Sequence, residues 1–124
     1  MFLLVPSSLL AQDSGFHQAP ASAAARRNPF AGQRAAIAAG EKIYASKCAK
    51  CHGDEGRGIG PVPSLAKGRP QKAKVGELFW FITEGNKNNG MPSWASLSDK
   101  QRWQVVTYLK SLGTPVKSRA KGKQ

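Results

Sequence analysis

Three stretches of the chain carry apolar residues in patterns that build secondary structure. In Arg34 to Ala49, which is rich in alanine, Ile37, Gly40, Tyr44 and Cys48 recur at steps of three or four, the spacing that gathers side chains on one helix face. Gly40 costs such a helix about 1 kcal/mol relative to alanine, so a glycine there is expected where another element packs against it. A second helix start is written in Ser98-Asp99-Lys100-Gln101, a capping box in which serine and glutamine each satisfy a backbone N–H of the first turn. Trp103, Val105, Val106, Tyr108, Leu109 and Leu112 follow, and Gly113 and Pro115 close the element. Between the two, Lys74 to Glu84 reads as a middle helix stopped by Gly85, although Phe79-Trp80-Phe81-Ile82 taken alone would also suit a strand.

The flanks differ in composition. Met1 to Ala11 is an apolar run followed by Gln12-Asp13, which resembles the tail of a secretory signal with a cleavage point after Ala11. It lacks the basic start of such signals and is too short to span a bilayer, so a partial leader, export and no stable membrane span are expected, with a short uncleaved anchor or a plain disordered tail as the alternatives. Residues 12–33, with Pro20, Arg26, Arg27 and Pro29 among Ala and Ser, read as linker. The expected division is therefore a leader and disordered linker over 1–33, a folded domain over 34–113 and a basic disordered tail over 114–124. About 80 residues are few to assemble a stable core without a disulfide, metal or cofactor.

Both cysteines fall in one pentapeptide, Cys48-Ala49-Lys50-Cys51-His52, with one of the two histidines of the chain. Two thiols one helical turn apart can each form a thioether to a vinyl group of haem while the adjacent imidazole reaches the iron. The same C-x-x-C spacing serves redox dithiols and zinc sites. Zinc would need His17 as a ligand from the polar N-terminal stretch, because the chain has no third cysteine. A thioredoxin-like dithiol follows a strand, whereas here an alanine-rich helix precedes Cys48. A Cys48–Cys51 disulfide would close so short a loop that it removes little unfolded-state entropy. Covalent haem c through Cys48 and Cys51 fits best, with His52 as an iron ligand.

A sealed six-coordinate iron needs a second ligand, usually His or Met. With Met1 at the start, Met91 is the one internal methionine, 39 residues after His52 in Gly85-Asn-Lys-Asn-Asn-Gly-Met-Pro-Ser-Trp94. Glycine lets backbone approach a planar cofactor closely, and Pro92 stiffens the residue that must aim its sulfur. Met91 as an ordinary gap-filling core residue is the alternative, but a turn-rich loop offers it no apolar helix or strand face. Of the tryptophans, Trp94 is the candidate haem contact, three residues after Met91, while Trp80 and Trp103 read as packing. Asn86, Asn88 and Asn89 suit turns, or hydrogen bonds to a propionate or the methionine sulfur.

Helix, C-x-x-C-H, a Gly/Pro-rich loop, a short helix, Gly90-Met91-Pro92 and a final aromatic helix together resemble a class I c-type cytochrome of the small soluble bacterial type, over roughly residues 34 to 113. The resemblance implies an all-α fold, three main helices and loops wrapped around one covalently bound haem, and it favours helix for Lys74 to Glu84. It implies thioethers at Cys48 and Cys51, His52 as proximal and Met91 as distal ligand. It also implies a Pro-x-Leu element whose carbonyl accepts a hydrogen bond from the proximal imidazole. Pro63-Ser64-Leu65 matches that element best and Pro61 is its rival; such a bond fixes the ring's tautomer. In this family the first and last helices cross at a glycine and aromatic contact, here Gly40 and Tyr44 against Val105 and Tyr108.

Charge then bears on partners. Of the formal +12, residues 34–113 hold 13 basic and 6 acidic side chains, a net +7. Such a surface steers the protein to acidic docking surfaces in a salt-dependent way, with Lys47, Lys50, Lys67, Arg69, Lys72 and Lys74 as candidates for the docking ring. Nucleic acid is disfavoured, because the folded region has no recognition motif and Lys117 to Lys123 is a short basic end. The expected protein is a monomeric, periplasmic or otherwise exported one-electron carrier rather than an enzyme. The alternatives are a peroxidase-like haem enzyme with a labile methionine, or a haem-free thiol redox or basic binding protein. The stretches 77–85 and 90–94 look similar to cytochromes that accompany periplasmic quinoprotein or molybdenum dehydrogenases, so a dehydrogenase or a terminal oxidase is the expected redox partner.

Overall fold

The computed structural model describes residues 18–114. They form helices α1 (Ala21–Ala24), α2 (Arg34–Lys47), α3 (Ala49–His52), α4 (Arg69–Lys72), α5 (Val75–Glu84) and α6 (Asp99–Leu112), with single 3-10 turns at Asp54–Gly56 and Lys87–Asn89. No strand occurs among the described residues, so the all-α expectation holds and 79–82 is helical. None of their helices is long and apolar enough to cross a membrane. The leader, His17 and the basic end from Pro115 onward lie outside the described residues.

Helix α6 is the spine. Its start is fixed by the capping box read from the sequence: Gln101 N donates to Ser98 Oγ at 3.1 Å and Ser98 N to Gln101 Oε1 at 2.9 Å. Trp103, Val105, Val106, Tyr108, Leu109 and Leu112 are all buried, each contributing about 1.5–3 kcal/mol by removal from water. Helix α2 crosses it at Gly40. A Cβ on Gly40 would collide with the Gln104 carbonyl and stand 2.9 Å from Tyr108 Cβ. The crossing is thus a backbone contact that only glycine permits. Its partners are Gln104 and Tyr108; Val105 turns into the core instead. One turn on, the rings of Tyr44 and Tyr108 lie 5.2 Å apart.

Helix α5 covers the other side with Leu78, Phe79 and Ile82, and Phe79 stacks on Trp103 at 4.2 Å between centroids. The Glu77 carboxylate accepts from Lys74 N at 2.8 Å at its start. Helix α4 is tied to α6 by polar contacts. Lys110 Nζ donates to the carbonyls of Gln71 and Ala73 at 2.8 and 2.6 Å, and Gln71 Nε2 to those of Leu65 and Leu109 at 2.8 and 2.7 Å.

Two expectations are corrected. The predicted helix through Ala49 ends at Lys47: Cys48 has φ −116°, and the N–H groups of Cys51 and His52 turn onto its carbonyl at 3.2 and 3.0 Å, starting α3 as a separate short helix. The described part of the expected linker, 18–33, lies against the domain. The backbone of Ala23 and Ala24 touches Gly76, Asn28 donates to Thr107 Oγ1 at 2.8 Å, Phe30 packs on the core, and the Arg26 guanidinium lies 4.4 Å from the Phe79 ring centre. A flat, weakly hydrated guanidinium can cover an aromatic face, which a polar-composition argument does not register.

Replacing Gly40 by alanine separates propensity from packing. The helix gains about 1 kcal/mol of intrinsic propensity, yet the collision with Gln104 costs more, so chemical unfolding is expected to show a net loss of at least about 1 kcal/mol. A stabilised Gly40→Ala protein would show that the crossing is looser than described.

Candidate functional site

The pentapeptide sits where two helices meet. Cys48 caps α2 and begins α3, placing Cys51 and His52 one turn later. Both cysteines are free; Cys48 is half-buried and Cys51 exposed. The disulfide alternative is therefore not formed, and burial, with Cys51 nearby, pushes the Cys48 thiol up to about 11. Burial lowers the His52 pKa and so favours the neutral imidazole, the form that binds a metal. The segment after His52 folds back tightly. Tyr44 donates through its hydroxyl to Gly53 O at 2.6 Å, Gly58 N to His52 O at 2.7 Å, and Leu65 N to Gly56 O at 2.7 Å. Gly56 lies against Leu112 near the C-terminal end of α6.

His52 Nδ1 is buried without a hydrogen-bond partner. Neither Pro61 nor Pro63 bonds it in this structure, although Pro63-Ser64-Leu65 is brought next to Gly56 by Leu65 N and by Ser64 Oγ, the latter donating to Gly56 O at 3.2 Å.

Met91 lies on a second segment, the loop between α5 and α6. Asn86 and Met91 exchange both backbone hydrogen bonds at 2.9 Å, closing a small hairpin around the 3-10 turn and Gly90, whose φ is +87°. The asparagines are therefore turn residues here: Asn86 closes the hairpin, while Asn88 and Asn89 are exposed in it. Gly85, with φ +75°, lets the returning chain pass, since a Cβ there would lie 2.6 Å from Pro92 C and O. Ser93 Oγ donates to Thr83 O at 2.6 Å and Trp94 N to Ile82 O at 3.0 Å, docking the loop on the last turn of α5. Met91 and Trp94 are half-buried, and Trp94 packs on the core. Sequence patterning missed the Ser93–Thr83 and Tyr44–Gly53 bonds, because single hydroxyl contacts leave no periodic trace.

The donors suit a covalently attached haem: two unpaired thiols on one turn, a neutral imidazole with an orphaned buried nitrogen, and Cys48, Ala49, Leu65, Ala66 and Trp94 forming a partly exposed apolar fringe on the core. Among the described residues no group of three His, Cys, Asp or Glu side chains could hold a metal ion, which leaves the zinc alternative without a donor set there. A cavity of about 360 Å³ bordered by Glu41, Asp54, Glu55 and the rings of Tyr44 and Tyr108 holds none of the four candidate ligands. Lys47, Lys50, Lys67, Arg69, Lys72 and Lys74 are all exposed.

A sequence model of the family described as "Cytochrome C oxidase, cbb3-type, subunit III" matches residues 35–109. Among curated proteins, the chain is 34% identical over 76 residues to a quinohemoprotein alcohol dehydrogenase (ADH-IIG) of Pseudomonas putida, covering 60% of this chain and 10% of that protein. It is 33% identical over 98 residues to a thiosulfate dehydrogenase of Stutzerimonas stutzeri (strain A1501), covering 64% and 28%. The chain thus spans only a minor part of the length of either relative. No solved structure matches it significantly.

Gly85→Ala adds a side chain to a left-handed residue facing Pro92, combining backbone strain with overpacking. The expected loss in chemical unfolding is about 2 kcal/mol or more, with faster hydrogen exchange at the Asn86 and Met91 amides. Unchanged exchange there would show that the hairpin does not depend on Gly85.

Proposed function

We propose, from the premise that the chain belongs to the family described as cytochrome c oxidase, cbb3-type, subunit III, that it is a monohaem electron carrier with His52 and Met91 as axial ligands. Membership identifies a c-type cytochrome domain with covalently bound haem c and a role in haem-based electron transfer; it names the domain and not an assembly. The haem, when bound, supplies the Fe(III)/Fe(II) couple and moves one electron without a proton or a transferred group. Cys48 and Cys51 are the thioether donors. His52, neutral through burial, ligates through one nitrogen, and its orphaned Nδ1 is the group that the Pro63 carbonyl would accept from. Met91 supplies the soft thioether, which favours the ferrous state. Trp94, half-buried against the core, would contact the haem and help exclude water.

What supports this reading is that the two segments are each anchored on the helices. The thiol and imidazole turn is braced by Tyr44 and by Gly56 against Leu112, while the Met91 hairpin is braced against α5. His52 and Met91 as the two iron ligands would leave no iron position open to a substrate, which favours a carrier over a peroxidase-like enzyme. The exposed basic side chains suit an acidic redox partner reached by electrostatic steering. Both curated relatives are named as dehydrogenases. Transfer between such a periplasmic dehydrogenase and an oxidase is the partner reading, with export and a monomeric state as part of it.

Four measurements test the proposal. The haem should survive acid-acetone extraction and give a c-type pyridine haemochrome spectrum; extractable haem removes the thioethers. Met91→Ala should abolish the sulfur-to-iron charge-transfer band and lower the reduction potential, whereas an unchanged spectrum removes Met91 from the site. The native ferrous protein should bind carbon monoxide slowly, and fast, tight binding would favour the enzyme. Charge reversal at Lys47 and Lys50 should slow reduction by an acidic partner at low salt, with the effect fading as ionic strength rises.

A further inference from the structure

Arg102 occupies an inward position of α6, between the exposed capping residues and the aromatic Trp103, and is only 9% exposed. Taking a guanidinium out of water is costly, and an aliphatic residue of similar volume could occupy such a position without that cost. The side chain repays the cost only through specific partners, and the three that accept its hydrogen bonds lie on or beside the Met91 loop. Arg102 Nε donates to Leu97 O at 3.1 Å, Nη1 to Thr83 Oγ1 at 2.6 Å and Nη2 to Asp99 Oδ1 at 2.7 Å, while the guanidinium carbon stands 4.9 Å from the centre of the Phe79 ring. Asp99 is itself largely exposed, with 69% of its side-chain surface accessible, so the ion pair alone is a weak reason to bury the arginine.

The geometry continues past Thr83. Its hydroxyl accepts from Arg102 and donates to Phe79 O at 2.8 Å, and its carbonyl accepts from Ser93 Oγ at 2.6 Å. Ser93 is two residues from Met91. The planar fork of Arg102 therefore grips the end of α5 with one nitrogen and the end of the loop, Leu97, with another, and Ser93 closes the same latch from the methionine side.

We infer that Arg102, with Thr83 and Ser93, is a positioning latch that holds the Met91 sulfur in place and so sets how readily the distal ligand leaves the iron. The inference rests on the reading of Met91 as that ligand. It assigns to Arg102 a role through the loop and not through contact with the cofactor. A latch of this kind keeps the protein a carrier, because a ligand that opens often would admit small molecules to the iron.

The test uses the haem-loaded protein and reads ligand opening directly, as the rate of carbon monoxide binding to the ferrous form and as the pH at which the sulfur-to-iron charge-transfer band disappears. Arg102→Met is expected to raise the carbon monoxide rate by about tenfold or more, the factor that corresponds to losing one charge-assisted hydrogen bond, and to move the loss of the band to lower pH. Ser93→Ala should shift both readouts in the same direction by a smaller factor, and Arg102→Lys, which keeps the charge but not the fork, should recover only part of the change. Lys110→Met, which removes the bonds to Gln71 and Ala73 at the far end of α6, controls for lost stability and should leave both readouts unchanged. Two results overturn the latch: native opening in Arg102→Met and Ser93→Ala, or equal acceleration in Lys110→Met. Met91→Ala separates this failure from that of the underlying reading. If it leaves the band and the carbon monoxide rate unaltered, Met91 is not the ligand and the latch falls with it; if it changes both while the latch variants do not, only the latch falls.

Discussion

The constraint on which the structure depends is the close approach of α2 and α6 at Gly40. Helices usually stand 8–10 Å apart with side chains between them; here a glycine lets backbone meet backbone at Gln104. That approach brings the Tyr44 ring against Tyr108 in a tilted contact, and the Tyr44 hydroxyl then reaches Gly53. The residue after His52 is thereby placed by a contact made in the middle of the helix pair. A side chain at position 40 would push α2 away and carry the thiol and imidazole turn with it.

From that crossing, α6 serves both halves of the site. Near its C-terminal end Leu112 touches Gly56, in the segment that turns back after His52; near its N-terminal end Arg102 and the Ser98 cap border the loop that carries Met91. Both candidate ligand segments thus rest on helices, the His52 turn on α2 and α6 and the Met91 loop on α5 and α6. Little rearrangement of the protein is expected when the iron changes oxidation state, because neither segment can move without breaking hydrogen bonds to a helix. The N-terminal segment adds a third brace: Arg26 covers Phe79 from one side while Arg102 lies near the same ring.

Much of this was legible in the residues because it is local or periodic. The capping box at Ser98, the stop at Gly85, the buried stripe of α6 and the five-residue haem signature each declare themselves within a few positions, where backbone chemistry leaves few options. Gly40 was legible as a misfit, a glycine in a helix of alanines. What was not legible is non-local or singular. Arg26 and Asn28 look like linker until Phe79 and Thr107 are placed beside them, and the break at Cys48 interrupts a pattern that alanine-rich sequence would continue.

By itself, then, the amino-acid sequence determined the type of the elements and the chemistry of the donors: thiol pairs, imidazoles and thioethers are properties of residue types at given spacings, and amphipathic periodicity follows from the 3.6-residue turn. Only the tertiary structure decided which donors are supported and by what. It gave Gly40 its partners, folded the proline-rich loop back toward His52, hung the Met91 hairpin on Thr83 and buried Arg102 to hold it there. The physical reason is that a hydrogen bond between residues far apart in the chain depends on two surfaces meeting at ångström precision, and no periodicity along the chain encodes that meeting.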